Sequence, residues 1–528
     1  MSSATTFSDE PKKLEWIGVT PRQLAGFIAM VFGMFMAILD IQIVSASLQE
    51  IQAGISASAD EIPWVQTSYL IAEVVMIPLS GFLSRVLSTR TLFFSAAVGF
   101  TAASALCATA TSINEMIIYR AIQGFIGGGM IPSVFAVAFS LFPRSKQNIV
   151  SPIIGLVATL APTIGPTVGG YLTDTYSWHW LFLINVVPGI MVAIAVFFLV
   201  DFDKPNYALL DRLDYVGLIS MALFLGSLEY VLEEGPRYDW LDDQTIATFA
   251  VLAVVGAVIF FWRAFTAKEP IVQLRAFKDR NFAFGSAFSF TMGIGLYGLT
   301  YVYPVYLGQV RGYDSLMIGE TMFVTGVAMF LTAPISGRLA GLVDPRIMML
   351  IGFSGFALGT YIASFITPDW DFWELLIPQI LRGSSLMLCM VPITNLSLGT
   401  LPPDQMKNAS GLFNLTRNLG GAVGLALINT ILNKRLDLHL ARLHEQVAWG
   451  HPAAEDRLAS MQQNMTTAMR ADGDMAALKQ LAMMVRTQAN VLSFADLFLI
   501  LTLLFGATAV FTLLMRKPGS VPAGGGGH

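Results

Sequence analysis

Apolar residues run along this chain in long stretches, separated by short polar breaks. A helix that crosses a bilayer needs about 20 mostly apolar residues. Fourteen stretches meet that length. The first six are Leu24–Leu48, Ile62–Leu83, Thr91–Ala110, Glu115–Ala138, Ile149–Leu172 and Trp178–Val200. Asp214–Leu232 and Ile246–Phe265 follow, then Phe282–Leu307, Leu316–Leu342, Arg346–Ile366, Trp373–Leu398, Ala409–Leu432 and Val491–Met515. The pattern predicts an all-α polytopic membrane protein with 14 transmembrane helices. Polar sequence remains in an N-terminal tail (1–23), one internal segment (433–490) and a Gly-rich C-terminal tail (516–528).

The internal segment is itself helical in pattern. "LDLHLARLHEQVAWG" and "AAEDRLASMQQNMTTAMRADG" read as two helices, and Asp474 is placed to cap a third that continues into the last span. Two readings stand side by side: a hairpin that only connects two spans, or a docking surface for an external partner. Loops of this length are uncommon without a use. His439, His444 and His451 are spaced too loosely to predict a metal site.

Charge placement orients the spans. With the N-terminus inside, the tails and the short loops on its side hold 19 of the 31 Lys and Arg, and the short loops opposite hold two, Arg237 and Arg311. Seven more lie in 433–490, and Arg120, Arg382 and Arg417 fall within spans. This positive-inside asymmetry predicts that both termini are cytoplasmic. A missed helix would scramble it.

Composition narrows the function classes. The chain is 55% hydrophobic and 13% charged, where soluble domains carry roughly 25% charged residues. A net charge of -5 spread over 528 residues does not point to a nucleic-acid partner. Cys107 and Cys389 lie singly in apolar runs, so neither a disulfide framework nor a zinc site is expected. The first apolar run is full length and follows a polar tail, unlike a cleavable signal peptide. Gly127–Gly128–Gly129 lacks the strand and the lysine of a phosphate loop. No catalytic constellation and no cofactor motif is present, so an enzyme is not expected and energy is expected from an ion gradient.

The chain also repeats. "GFLSRVLSTR" (Gly81–Arg90) after the second span matches "GRLAGLVDPR" (Gly337–Arg346) after the tenth in Gly, Leu and Arg. "MIPSVFAVAFSLFPRSKQN" (Met130–Asn148) aligns without gaps to "MVPITNLSLGTLPPDQMKN" (Met390–Asn408). The offsets, 256 and 260 residues, fit a unit of six spans plus two extra spans. The predicted organisation is a six-helix bundle (24–200), two linker helices (201–265) and a second six-helix bundle (266–515) that includes 433–490. Duplicated bundles place a binding site at their interface and let the halves rock for alternating access.

Ionisable residues inside spans are functional candidates by default. Asp40 lies about 16 residues into an outward-running helix, roughly 24 Å from the inner side at 1.5 Å per residue. Arg120 falls at roughly 22 Å by the same arithmetic. An Asp40–Arg120 pair between the first and fourth spans is therefore expected. Glu73 falls close to the midplane with no cation at matching depth in its own half, while Arg382 and Arg417 lie near mid-depth in the other half. Its carboxylate either carries a proton or a cationic substrate, or bonds to a neighbouring helix and never titrates. Candidate cavity residues are Gln42, Gln66, Tyr69, Gln123, Tyr297, Tyr301, Arg382, Asn395, Asn414 and Arg417, with Trp64 and Tyr303 as further aromatics. Gly165–Pro166 removes a backbone donor and opens its helix, and Gly169 and Gly170 permit close approach.

These stretches resemble the major facilitator superfamily, in particular its 14-helix drug:proton antiporters of the EmrB type. The resemblance covers nearly the whole chain. "FMAILDIQIVSASL" (Phe35–Leu48) is similar to the first-helix signature, with Asp40 in the aspartate position. "GFLSRVLSTR" resembles the gating loop motif through Gly81, Arg85 and Arg90, echoed in the second half by Gly337 and Arg346. "YRAIQGFIGGG" matches the fourth-helix motif, "APTIGPTVGGYL" the antiporter motif (Gly165, Pro166, Gly169, Gly170), and "WHWLFLINVVPG" the sixth-helix opening. Departures are Ser84 and Ser88, where the loop motif carries aspartate and glycine, and Gln42, Ser45 and Gln49 in the first-helix signature. Glu73 stands where many relatives are neutral.

The resemblance implies the major facilitator fold and a proton-driven exporter of lipophilic or amphipathic compounds in a bacterial inner membrane. Asp40, Glu73 and Arg120 would carry proton coupling, and no metal or cofactor is implied. It also implies a periplasmic adaptor (membrane fusion) protein and an outer-membrane channel as partners, with 433–490 as the contact. A dedicated exporter of one metabolite, such as a fatty acid or siderophore, and a non-transporting membrane sensor or assembly subunit are the rival expectations.

Overall fold

In the computed structural model, residue 14 and residues 17–58, 60–447, 452–469 and 473–515 are described. The expected tail 516–528 and residues 1–13 lie outside them. Among the described residues, fourteen helices are long and apolar enough to cross a membrane. They are α1 (Pro21–Ser45), α2 (Trp64–Leu87), α3 (Thr89–Cys107), α4 (Ile113–Leu141), α5 (Arg144–Thr175), α6 (Trp180–Leu199) and α7 (Tyr215–Glu234). The remainder are α8 (Gln244–Thr266), α9 (Arg280–Arg311), α10 (Leu316–Leu342), α11 (Pro345–Ala363), α12 (Phe372–Leu398), α13 (Met406–Gln446) and α14 (Asp474–Leu514). The chain is an all-α multi-pass membrane protein.

Local chemistry sets the ends. α1 starts at Pro21, three residues earlier than the apolar pattern alone predicts, because Thr20 and Gln23 form a capping box and proline suits the first helical position. α13 and α14 run past the bilayer. At 41 residues each they are roughly 60 Å long, about twice the hydrocarbon thickness. Their excess, with the helix Pro452–Met469 packed on α14, forms the segment between them as rigid extensions of the spans. His439 Nε2 there lies 3.0 Å from the Asp496 carboxylate, which Arg435 also approaches at 3.5 Å. His451 lies outside the described residues.

Two seams join the halves, α2 against α13 and α5 against α10. They use the repeated motifs symmetrically. A Cβ at Gly81 would stand 2.9 Å from the Lys407 carbonyl oxygen and 3.1 Å from Cα of Asn408. A Cβ at Gly337 would stand 2.8 Å from the carbonyl oxygen of Asn148, the repeat partner of Asn408. The loop-motif glycine of each half thus lies against the turn that ends the matching unit of the other, at the end of the bundle that carries the termini.

The extra helices are not a detached linker. α8 packs chiefly on α7, while α7 packs on α2 of the first half and α13 of the second. Trp64 stacks on Tyr230 at 5.3 Å, Trp240 donates to Thr430 Oγ1 at 3.0 Å, and Arg237 pairs with Asp60 at 2.5 Å. α7 is therefore part of the wall between the halves.

Alanine at Gly81 or Gly337 favours an isolated helix by about 1 kcal/mol, so any loss it causes comes from the seam. Spin labels at the exposed turns Ser145 and Asp404 are expected to move apart in Gly81→Ala and Gly337→Ala. An unchanged distance distribution would contradict this closure.

Candidate functional site

Asp40 and Arg120, both fully buried, pair at 2.7 Å. The pair sits in a buried polar network. Gln123 Nε2 and Asn185 Nδ2 donate to Asp40 Oδ1 at 3.1 and 2.6 Å, and Arg120 also donates to Gln123 Oε1 at 2.7 Å and the Val65 carbonyl at 3.2 Å. Asn185 is held in turn by Ser104 at 3.1 Å. Tyr69 lies over the guanidinium, 4.2 Å from ring centre to Cζ. Helices α1, α3, α4 and α6 converge on this one carboxylate, so every Asp40 oxygen is committed.

Glu73 has a different setting. It is 3% exposed, has no hydrogen-bond or ion-pair partner among the described residues, and lines a cavity of about 390 Å³ between the halves. Gly128 of α4 makes room for it, since a Cβ there would stand 3.1 Å from Glu73 Cγ. The triple glycine is a packing device that brings α4 against α2. Arg120 and Arg417 act on Glu73 only through their charge, without contact.

The cavity lies in the half of the bundle remote from the termini. Of the expected residues, Gln42, Gln66, Tyr297, Tyr301 and Pro166 line it. A π-helical turn at Ile294–Gly298 within α9 sets the register that turns Tyr297 inward, and such turns recur at functional sites. Tyr301 donates to Asn429 at 2.8 Å.

Other expected cavity residues are placed elsewhere. Tyr69 and Gln123 belong to the Asp40 network. Arg382 stands behind the wall, donating to Thr300 Oγ1, which does line the cavity, and lying over Tyr303. Arg417 donates to Asn414 at 2.5 Å, and Asn414 to the Ser410 carbonyl at 2.9 Å, both within α13. Asn395 bonds Ser151 and Asn148 across the α5–α12 contact, near the termini. These side chains are long or polar enough to reach a neighbour first, and buried polar groups find partners.

The antiporter-motif glycines bring α5 against α1. A Cβ at Gly165 would meet Gln42 Cβ at 2.4 Å, and one at Gly169 the Ile43 carbonyl at 2.8 Å. Gly170 is buried beside them. The helix does not open as expected at Gly165–Pro166, because α5 stays helical through three prolines. In the loop motif, Ser88 takes φ +73°, a conformation that costs glycine little. Arg85 lies over Phe82 at 5.7 Å, Arg90 is exposed, and Arg346 pairs with Asp344 in its own loop. The charge across the seam comes from elsewhere. Asp203, after α6, accepts from the Thr89 amide at 2.9 Å and pairs with Lys407 of α13, which also donates to the Ser84 carbonyl at 2.9 Å.

Four functional candidates are new. Asp203 and Lys407 carry that contact, and Glu229 and Glu233 of α7 line the cavity with Glu73. The signal for the glutamates was present in "SLEYVLEEG", two carboxylates one helical turn apart in an apolar run. Asp40→Asn leaves Arg120 buried without a counter-charge, at a cost of about 3–5 kcal/mol. Its thermal unfolding midpoint in detergent is expected to fall by several degrees, and that of Glu73→Gln, which breaks no pair, is expected to stay level or rise. Equal loss in both would contradict these assignments.

Comparison with known proteins agrees with this architecture. The model of the Major Facilitator Superfamily matches residues 30–425. A relative from Acinetobacter baumannii, "Colistin resistance protein EmrB", is 42% identical over 506 residues, 95% of this chain and 98% of that one. "Multidrug export protein EmrB" of Escherichia coli K12 is 29% identical over 501 residues, 95% of this chain and 96% of its own. Among solved structures, the proton:xylose symporter XylE superposes with a TM-score of 0.58 at 13% identity, over 93% of this chain and 95% of that one, a likeness of fold. The chain belongs to the Major Facilitator Superfamily.

Proposed function

We propose that the protein exports lipophilic or amphipathic drugs from the cytoplasm or the inner leaflet in exchange for protons, with Glu73 as the coupling carboxylate. The observation that carries this reading is Glu73 itself, buried, without a partner, and on the wall of the cavity between the halves. Keeping an uncompensated carboxylate charged away from water is costly, so a proton or a cargo cation neutralises it. Asp40 is the weaker carrier, because Arg120 already answers its charge. Relatives named for colistin resistance and multidrug export support a drug as cargo.

Sidedness follows from the basic loops. With both termini in the cytoplasm of a bacterium, the contacts at Gly81, Gly337 and Asp203–Lys407 close the cytoplasmic side, and the cavity belongs to the periplasmic half. In that state a proton from the periplasm reaches Glu73 and displaces cargo. Rocking then breaks the Asp203–Lys407 contact and returns Glu73 to the inner side, where the proton leaves and new cargo binds. The extensions of α13 and α14 project toward the periplasm, as the dock for a periplasmic adaptor protein that leads to an outer-membrane channel. Exposed Met475, Leu478, Met483 and Met484 supply apolar side chains for that contact.

Dye movement in inverted membrane vesicles tests the reading. An imposed proton gradient is expected to drive uptake by the wild type, and Glu73→Gln is expected to lose at least tenfold of it while exchange of dye at zero gradient persists. Gradient-driven uptake that survives in Glu73→Gln would overturn the assignment.

A further inference from the structure

The turn between α7 and α8, residues 235–243, adopts backbone that its residues do not favour. Asp239 stands at φ +53° and Trp240 at φ +61°, the left-handed region that side chains other than glycine rarely enter. For a residue as bulky as tryptophan such backbone persists only where its surroundings hold it. Three contacts do so. The Trp240 amide donates to the Gly235 carbonyl at 2.8 Å. Gly235 leaves room for the ring, since a Cβ there would stand 2.8 Å from Trp240 Cε3. The indole Nε1 donates to Thr430 Oγ1 of α13 at 3.0 Å.

That last bond crosses from one half to the other. The apolar anchorage of the turn belongs to the first half: Tyr230, Val231 and Ile246 form a small buried cluster, packed by Trp240 and by Trp64 and Ile71 of α2. Thr67 of α2 also donates to Glu234 at 3.3 Å. To α13 the turn is tied by hydrogen bonds, Trp240 to Thr430 and Asn433 Nδ2 to the Pro236 carbonyl at 3.3 Å. α2 and α13 meet directly nearer the termini, where a Cβ at Gly411 would stand 3.2 Å from the Ile77 carbonyl oxygen. At the remote end α7 touches both. Leu232 of α7 and Ala426 and Asn429 of α13 line the cavity, and Thr430 Oγ1 donates back to the Ala426 carbonyl at 2.7 Å. The indole bond therefore fastens two cavity walls, one anchored in each half.

We infer that the 235–243 turn is a clasp between the halves: Trp240, anchored on the first half, grips Thr430 of the second, keeps α13 apart from α2 at the end remote from the termini, and lets go when the halves rock. The hydrogen bonds favour the clasped form and the left-handed backbone opposes it, by contributions of similar size. Release lets Trp240 return to ordinary backbone while α7 stays on α2 and α13 closes toward them. Cargo resting on Ala426 and Asn429 bears on the helical turn that carries Thr430, which links the clasp to the contents of the cavity. This inference rests on the reading that the halves rock, and not on the proton at Glu73.

Spin labels at the exposed positions Ala53 and Asp369, one in each half at that end, report the clasp in the full-length protein in detergent. Trp240→Phe keeps a ring and loses the donor, and Thr430→Val keeps the shape and loses the acceptor. Each is expected to raise the ratio of short to long distances about fivefold over wild type, as loss of one hydrogen bond does, and the double variant no further. Asp239→Gly relieves the backbone, breaks neither bond, and is expected to shift the ratio the other way. Unchanged distances in Thr430→Val, or shifts that add in the double variant, overturn the clasp. If Trp240→Phe does not fold, Thr430→Val and Asp239→Gly still decide it, because their expected shifts are opposite. Unmoved distances here, with labels at Ser145 and Asp404 that still part in Gly81→Ala, would reject the clasp and leave the rocking in place.

Discussion

A charge in the interior of a membrane protein is costly, and of the three fully buried guanidiniums among the described residues Arg120 is the one paired with a carboxylate, Asp40 at 2.7 Å. Much else follows from that pair. Gln123, Asn185 and Ser104 extend its hydrogen bonds, tying α1, α3, α4 and α6 into one block. The pair also engages Arg120, whose charge acts on Glu73 from the same half. Glu73, one wall away, is left facing the cavity without a partner. The bundle thus holds one carboxylate bonded into its helix packing and one that has no partner among the described residues.

The seams between the halves follow the internal repeat. Gly81 lies against residues 407–408 and Gly337 against Asn148, so each half makes the same contact with the other. The two sites are not chemically equal. The first has lost the aspartate that the loop motif leads one to expect at Ser84, and Asp203 brings a carboxylate to the same place from the end of α6. Its hydrogen bonds to the first turn of α3 stabilise that helix end, and its pair with Lys407 crosses the seam. Asp203, 119 residues after Ser84, thus supplies the carboxylate beside this turn.

Much of this was legible in the amino-acid order. Run length gave the spans, and depth along helices matched Asp40 to Arg120. What depended on rotation about a helix axis was not legible. Tyr297 and Tyr301 face the cavity and Tyr303 lies under Arg382, a distinction set by a π-helical turn that composition does not announce. Asn395 reads as a cavity residue by depth, but its helix face turns it to Asn148 and Ser151. Asn185 gains its role only because α6 packs beside α1. Glu229 and Glu233 carried the same signal as Glu73, a charge in an apolar run. They stand out once α7 is seen wedged between α2 and α13 instead of serving as a tether.

The account turns on one claim, that a proton and a drug compete for Glu73. The direct measurement is proton release when a transported drug binds to purified protein in weakly buffered solution near neutral pH. If the two share the carboxylate, the wild type releases about one proton more per bound drug than Glu73→Gln does. Equal release from both proteins, or none from the wild type, would contradict it.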